Sequence, residues 1–348
     1  MNKRFVFTAA LAALLSFSVH AQTLPRTQLK VVGGLSNLSA YNDYEKPFWT
    51  KVVPTLSNGQ VTAEIKGFNE MGLKGPELLR LMSQGVVEFG TATLSYFSSD
   101  NPINEAVDLA GLAPDAKTAR AVVDAFAPVY AKFYGPGSGI KILGMSPYPA
   151  QVLFCNAEIK SLADVKGKKV RTSSRTQAEF IEALGGSGVT LAFGEVVPAM
   201  QNKVIDCAIT GSLSGYSAKW FEVATHLYAL PINWNSQIHG VNQKAWNKID
   251  PKVQAFLQTN ITSMIDNMWD AAAAQTQQGY DCNSGAAACT LPVKGKMVIV
   301  QPTAADRVLL KKLMQEIVLP KWAARCSATC VQDFNATIGK AVGMTAKK

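Results

Sequence analysis

The feature that most limits how this chain can fold is a strand–helix alternation that runs twice along it. Residues 29–34 form a short apolar run ending in Gly33-Gly34, and residues 43–56 read as a helix with an aromatic face. Residues 61–68 alternate apolar and polar side chains, as a half-buried strand does. A helix is expected over 77–83, opened by Pro76 and stopped near Gly85, then a strand over 86–94. A long helix over 115–134 and a strand over 140–145 complete the first series. The second series has strands at 152–156, 169–172, 189–193 and 205–210, with helices at 177–184 and 195–202. This order argues for α/β architecture, a parallel-rich sheet with helices on both faces. Two such units imply two lobes with a cleft between them, and open α/β sheets take ligands at the carboxyl ends of their strands.

The last third reads as helical. Asp250-Pro251 places a capping carboxylate before a first-turn proline. Val253, Leu257, Ile261, Met264, Ile265, Met268 and Ala272 then keep helical spacing to about residue 278. That helix would be roughly 40 Å long, enough to lie across both lobes. Another amphipathic helix is expected over 306–318, ending near Pro320. The glycine-rich stretch 135–139 has the wrong spacing for a dinucleotide fingerprint and reads as a turn.

The N-terminus carries a leader. Lys3 and Arg4 precede an apolar run over 5–19, and Val19-His20-Ala21 supplies a small-residue cleavage site. A run of fifteen residues is too short to span a bilayer comfortably, so cleavage before Gln22 is expected rather than retention as an anchor. Export to a bacterial periplasm follows, with 1–21 removed as a signal peptide.

The six cysteines, Cys155, Cys207, Cys282, Cys289, Cys326 and Cys330, agree with an oxidising compartment. Zinc would need four clustered ligands, but the short spacings are C-x6-C and C-x3-C, and only His226 and His239 follow the leader. No metal or cofactor is expected. Of the fifteen possible pairings, Cys155–Cys207, Cys282–Cys289 and Cys326–Cys330 are expected: the first two cysteines sit on strands of one lobe and the other four are sequence neighbours.

Charge narrows the partner class. Lys and Arg number 34 against 25 Asp and Glu, so the formal charge is 34 − 25 = +9, or +7 without the leader. The lysines are dispersed, and no basic stripe alternates with aromatics, so nucleic acid is not the expected partner. An anionic small ligand fits better. P-loop, H-E-x-x-H and G-x-S-x-G motifs are all missing, which favours binding over catalysis.

Specific motifs appear from residue 161 onward. Ser161-Leu-Ala-Asp-Val-Lys-Gly-Lys-Lys-Val-Arg-Thr is followed by Glu182-Ala-Leu-Gly-Gly, Gly194-Glu-Val-Val-Pro-Ala-Met-Gln and Val204-Ile-Asp-Cys-Ala-Ile-Thr-Gly. Together with Lys74-Gly-Pro-Glu-Leu-Leu-Arg-Leu-Met-Ser-Gln-Gly-Val-Val-Glu-Phe-Gly and Ala245-Trp-Asn-Lys-Ile-Asp-Pro, this order resembles the solute-binding proteins of tripartite ATP-independent periplasmic (TRAP) transporters, the DctP-like family. The resemblance implies a two-lobed periplasmic-binding-protein fold of type II-like architecture, with a long helix spanning both lobes. It divides the chain into lobe I over 22–148, lobe II over 149–231, a return to lobe I over 232–262, and a spanning helix and C-terminal helical part over 263–348.

The same resemblance implies a receptor that closes on an organic anion and delivers it to membrane TRAP permease subunits. It places the carboxylate on Arg171, at the end of the K-G-K-K-x-R strand. A guanidinium suits that task, because its planar fork matches a carboxylate and stays charged when desolvated. An exposed strand-end charge is the alternative reading of Arg171. Some relatives carry a second Arg where this chain has Gln151, which argues for a monocarboxylate rather than a polyanion. Arg175, Thr210, Trp234, Asn235, Tyr96, Asn37 and Tyr41 complete the candidate binding set, and their aromatics suggest a flat or aromatic monocarboxylate. Two other functions stay open: the receptor of an ATP-driven importer, and a secreted enzyme using carboxylates such as Glu195 and Asp206.

Overall fold

A computed structural model describes residues 23–348, so the leader expectation for 1–21 lies outside the described residues. In chain order the strands are β1 (Thr27–Gly33), β2 (Val61–Gly67), β3 (Phe89–Thr93), β4 (Ile140–Ser146), β5 (Gln151–Cys155), β6 (Lys169–Thr172), β7 (Ser187–Thr190), β8 (Cys207–Gly211), β9 (His226–Asn233), β10 (Gln237–Asn242) and β11 (Val298–Val300). They form two sheets, ordered β2-β1-β3-β10-β4 and β11-β9-β5-β8-β6-β7.

Both sheets are parallel-rich, with one strand reversed in each. β1 runs parallel to β2 and β3, but β10 is antiparallel to β3 and β4. In the second sheet β6 is parallel to β7 and β8, whereas β5 is antiparallel to β8 and β9. The departure has a topological cause. The chain passes from the first sheet to the second between β4 and β5, and returns between β9 and β10, so β5 and β10, the strands entered after each passage, run against the prevailing direction of their sheets. β3, β5, β8 and β10 are buried along their whole length, because helices or the opposite unit cover both faces.

Several local expectations need correction. The helix expected over 115–134 runs as Ala116–Ser138, straight through the glycines read as a turn, and stops at Gly139, whose φ is 62°. Its buried face of Val122, Val123, Phe126, Tyr130 and Tyr134 carries it past those residues by tertiary packing. The aromatic helix expected over 43–56 begins earlier and is built from π-helical turns, Ala40–Glu45 and Phe48–Val52, before the α-helical turn Val53–Leu56. The segment after 263 also contains a strand, β11, which pairs with β9.

The spanning helix is Pro251–Ser284, 34 residues or about 51 Å. The Asp250 side chain accepts the Lys252 N–H at its start. Its first half lies on β4: Gln258 Nε2 donates to Leu143 O and Trp269 Nε1 to Met145 O. Its second half grips the helix Ser212–Ser217 of the second unit, where Ser212 Oγ donates to Thr276 O and Asn283 Nδ2 to Ser212 O.

Gly279 makes that crossing possible, since a Cβ there would collide with the backbone of Ser212 and Leu213. Helix propensity alone would make Gly279→Ala stabilising by about 0.5–1 kcal/mol. A clash against backbone does not relax, so the variant is expected to lose about 1–3 kcal/mol instead. A lower urea midpoint at unchanged slope would report it.

The cysteines are joined as Cys155–Cys207, Cys282–Cys289 and Cys326–Cys330. The first bridges directly opposed residues of β5 and β8. The last does not lie on one regular helix. Cys326 is the extended residue that ends the helix Leu319–Arg325, and Ser327 caps the next helix, Ala328–Ala336.

Candidate functional site

Between the sheets lies a small cavity of about 20 Å³, assembled from the carboxyl ends of strands in both units. Leu35 and Leu38 follow β1, Thr93 ends β3, and Tyr96 sits in the turn after it. The second unit contributes Arg171 from β6, Ser173 just beyond it, Phe193 after β7 and Thr210 from β8. Ser214 comes from the helix Ser212–Ser217, and the two passages between the sheets supply the remainder: Tyr148 and Gln151 from the first, Asn235 from the second.

Arg171 dominates the electrostatics. It is only 2% exposed, although it bears a full charge. Its Nε donates to Leu191 O at 3.0 Å and its Nη1 to Ile209 O at 2.8 Å. These carbonyls fix the plane of the guanidinium but supply no countercharge. Among the described residues no carboxylate pairs with it, and desolvation pushes its pKa down to about 10. A desolvated cation held only by neutral dipoles is costly unless an anion joins it.

The other walls are neutral. Tyr148 and Thr93 share a hydrogen bond of 3.4 Å, and Gln151 Nε2 donates to Pro149 O. Phe193 stacks on Trp220 with centroids 5.4 Å apart, so its ring is held from behind. Asn235 takes a left-handed backbone, φ 54°, and its buried Oδ1 finds no partner. Such an acceptor fits a hydroxyl or N–H arriving with a ligand.

A polar chain ties these walls to the passages. The Ser173 N–H and Oγ–H donate to Gln177 Oε1, and Gln177 Nε2 donates to Asn233 Oδ1. Asn233 Nδ2 donates in turn to Asp108, which also accepts the N–H groups of Trp234 and Asn235. Burial pushes Asp108 up to about 6, while the three donors pull the other way. The second passage is thereby pinned to the first unit, two residues from the cavity.

Of the nine candidate residues, Arg171, Gln151, Thr210, Asn235 and Tyr96 meet at this cavity. The other four do not line it. Arg175 opens the helix Arg175–Ala183, is 67% exposed along its side chain and pairs with Glu179 at 3.6 Å. Trp234 turns away from the cavity, and its Nε1 donates to Ala113 O. Tyr41 packs its ring where a Cβ on Gly33 would lie, and Asn37 points to solvent. Thr93, Tyr148, Ser173, Phe193, Ser214, Leu35 and Leu38 were not expected. Thr93 and Ser173 stand where strands end, a signal the sequence carried; Tyr148 and Phe193 arrive only through tertiary folding.

Among the described residues no group of three or more His, Cys, Asp or Glu is placed to hold a metal, and no helix is long and apolar enough to cross a membrane.

Residues 39–323 match the model for bacterial extracellular solute-binding proteins, family 7. The ectoine-binding periplasmic protein TeaA of Halomonas elongata is 23% identical over 219 residues, 60% of this chain and 62% of that protein. The 2,3-diketo-L-gulonate-binding periplasmic protein YiaO of Escherichia coli is 23% identical over 175 residues, 50% of this chain and 53% of that protein. The chain thus spans less than two thirds of each of these two relatives. Solved structures align more fully. A TRAP periplasmic solute-binding protein from Desulfovibrio salexigens with bound orotic acid superimposes with a TM-score of 0.79 at 19% identity, covering 91% of this chain and 98% of that one. The sugar-acid-binding protein DctPAm of Advenella mimigardefordensis, in complex with galactonate, gives 0.78 at 16% identity, covering 91% and 99%.

Proposed function

The chain belongs to the bacterial extracellular solute-binding proteins of family 7, and we propose that it captures an organic monocarboxylate in the interlobe cleft and hands it to a TRAP-type permease. The observation that carries this reading is Arg171, a buried guanidinium with two carbonyl partners and no carboxylate. One cation among neutral walls matches one carboxylate. Gln151, where a second cation would stand, offers an amide instead. The rings of Tyr96, Tyr148 and Phe193 favour a flat or ring-bearing acid, and the unpartnered Asn235 Oδ1 favours one with a hydroxyl or N–H. The family consists of solute receptors, so a turnover role has no support.

In this reading lobe I spans 22–148 with the return segment 232–262, lobe II spans 149–231, and the segment 263–348 packs on both. The cavity of about 20 Å³ has room for a water-sized molecule and none for an acid of ten or so heavy atoms. Loading therefore requires the lobes to part, bending at 147–151 and 229–233, and closure then strips water from the carboxylate. The leader 1–21 is removed on export, and the working protein is periplasmic. Its N-terminus, read by sequencing from a periplasmic extract, should be Gln22.

A thermal-shift panel of monocarboxylates, dicarboxylates and neutral sugars tests the central reading. An acid at about 100 times its Kd adds about 2.7 kcal/mol of stability. Monocarboxylates should raise Tm and shrink the radius of gyration in solution scattering; dicarboxylates and sugars should do neither. A response to neutral sugars alone would overturn the assignment of Arg171 as an anion site.

A further inference from the structure

A larger cavity, of about 300 Å³, has no lining residue in common with the cleft. That volume is at the lower end of small-molecule sites. One wall is the loop 111–114, whose Gly111 N–H donates to Ile232 O at 2.7 Å; a second is Leu230 and Pro231 of β9. The remaining walls come from Thr118 of the helix Ala116–Ser138, the helix Ala304–Leu313 and the C-terminal residues Ala341, Val342 and Met344. Leu112, Leu230, Pro231, Leu310 and Met344 make the interior apolar.

Its mouth is not apolar. Arg307 and Lys311 stand one turn apart on the helix Ala304–Leu313, and both border the cavity. Neither pairs with a carboxylate among the described residues, although their neighbour Lys312 pairs with Glu316. Two unpaired cations over an apolar pocket form a charge pattern for a molecule with one anionic head and one apolar tail. A purely apolar occupant would leave both cations unused, and a purely polar one would leave the Leu and Met walls facing water.

We propose that this cavity is a second ligand site, distinct from the cleft, that takes a medium-chain amphiphilic carboxylate with its tail against Leu112, Leu230 and Leu310 and its head between Arg307 and Lys311. The site shares no residue with the cleft, and Arg171 takes no part in it. Exposed cations orient and select the head, while apolar burial supplies most of the affinity.

Calorimetry with hexanoate, heptanoate and octanoate below their micelle concentrations tests this on the full mature chain carrying Arg171→Ala, which silences the cleft. Affinity should rise by about two- to fourfold for each added methylene. Octylammonium, with the same tail and the opposite charge, should bind at least about tenfold more weakly than octanoate. Arg307→Glu combined with Lys311→Glu should weaken octanoate by at least about tenfold, a change confined to exposed side chains. Met344→Trp, which fills the cavity without altering charge, should abolish the dependence on chain length. No binding of octanoate at millimolar concentration would overturn the proposal. So would equal binding of octylammonium, or binding that survives both the charge reversal and Met344→Trp.

Discussion

Arg171→Ala is expected to weaken binding of the cognate acid by at least about two orders of magnitude while the chain stays folded. A carboxylate drawn into the closed cleft loses its water and has no other cation to meet. A charge-assisted hydrogen bond contributes about 1.5–3 kcal/mol, and a buried carboxylate left unpaired costs more. Arg171→Lys should restore little. An ammonium cannot reach Leu191 O, Ile209 O and a carboxylate in one plane, as the guanidinium does.

The effect on folding is a balance of opposed terms. Burial lowers the Arg171 pKa from 12.5 to about 10, so removing the charge relieves a desolvation cost. The same change orphans two carbonyls at about 1–3 kcal/mol each. The terms oppose each other, so the variant should stay folded with a moderate drop in Tm. Titration calorimetry on the folded variant decides the binding claim, and near-native affinity would move the carboxylate site elsewhere.

What could be read from sequence follows from how local each signal is. β1 to β8 stand close to their expected places because a short apolar or alternating run is written into a few adjacent residues, whereas β9, β10 and β11 were not expected. Arg171 was accessible because its motif is contiguous; the carbonyls that orient it belong to Leu191 and Ile209, set by the pairing of β6 with β7 and β8. Tyr148 and Phe193 reach the cavity through tertiary approach, which no local pattern encodes. Trp234 shows the converse error. An aromatic residue next to a passage looks like a ligand wall, yet its N–H needed a buried acceptor and found Ala113 O. The reversal of β5 and β10 was not foreseen, because the alternation of strand and helix says nothing about a chain that leaves its sheet and returns.

The other large effect was invisible for the same reason. Arg325, at the end of the helix Leu319–Arg325, inserts between Glu105 of the first unit and Glu179 of the second, residues 220 and 146 positions away. Its Nη2 donates to Glu105 Oε2 at 2.8 Å and its Nη1 to Glu179 Oε1, and both carboxylates are nearly inaccessible. The Thr176 N–H adds a bond to Glu105. Arg325 thus ties the C-terminal segment to both units beside the cleft. Arg325→Met should remove about 3–5 kcal/mol of stability, because it leaves two acids facing each other with only the exposed Arg175 near Glu179.

The pH dependence of that loss separates charge from packing. Burial already holds Glu105 above its usual pKa, and Arg325 is the main group opposing the rise. Without Arg325 the folded pKa climbs further above the unfolded value. The folded state then binds the proton more tightly than the unfolded one, so stability is retained below about pH 4 and lost as pH rises through the folded pKa. The difference between Arg325→Met and the parent should therefore be small near pH 4 and full near pH 8 in urea melts. A deficit independent of pH would mean that Arg325 acts through its packed stem alone. If the deficit grows with pH, adding Glu105→Gln to Arg325→Met should recover part of it, since a neutral amide in that pocket carries no charge to desolvate.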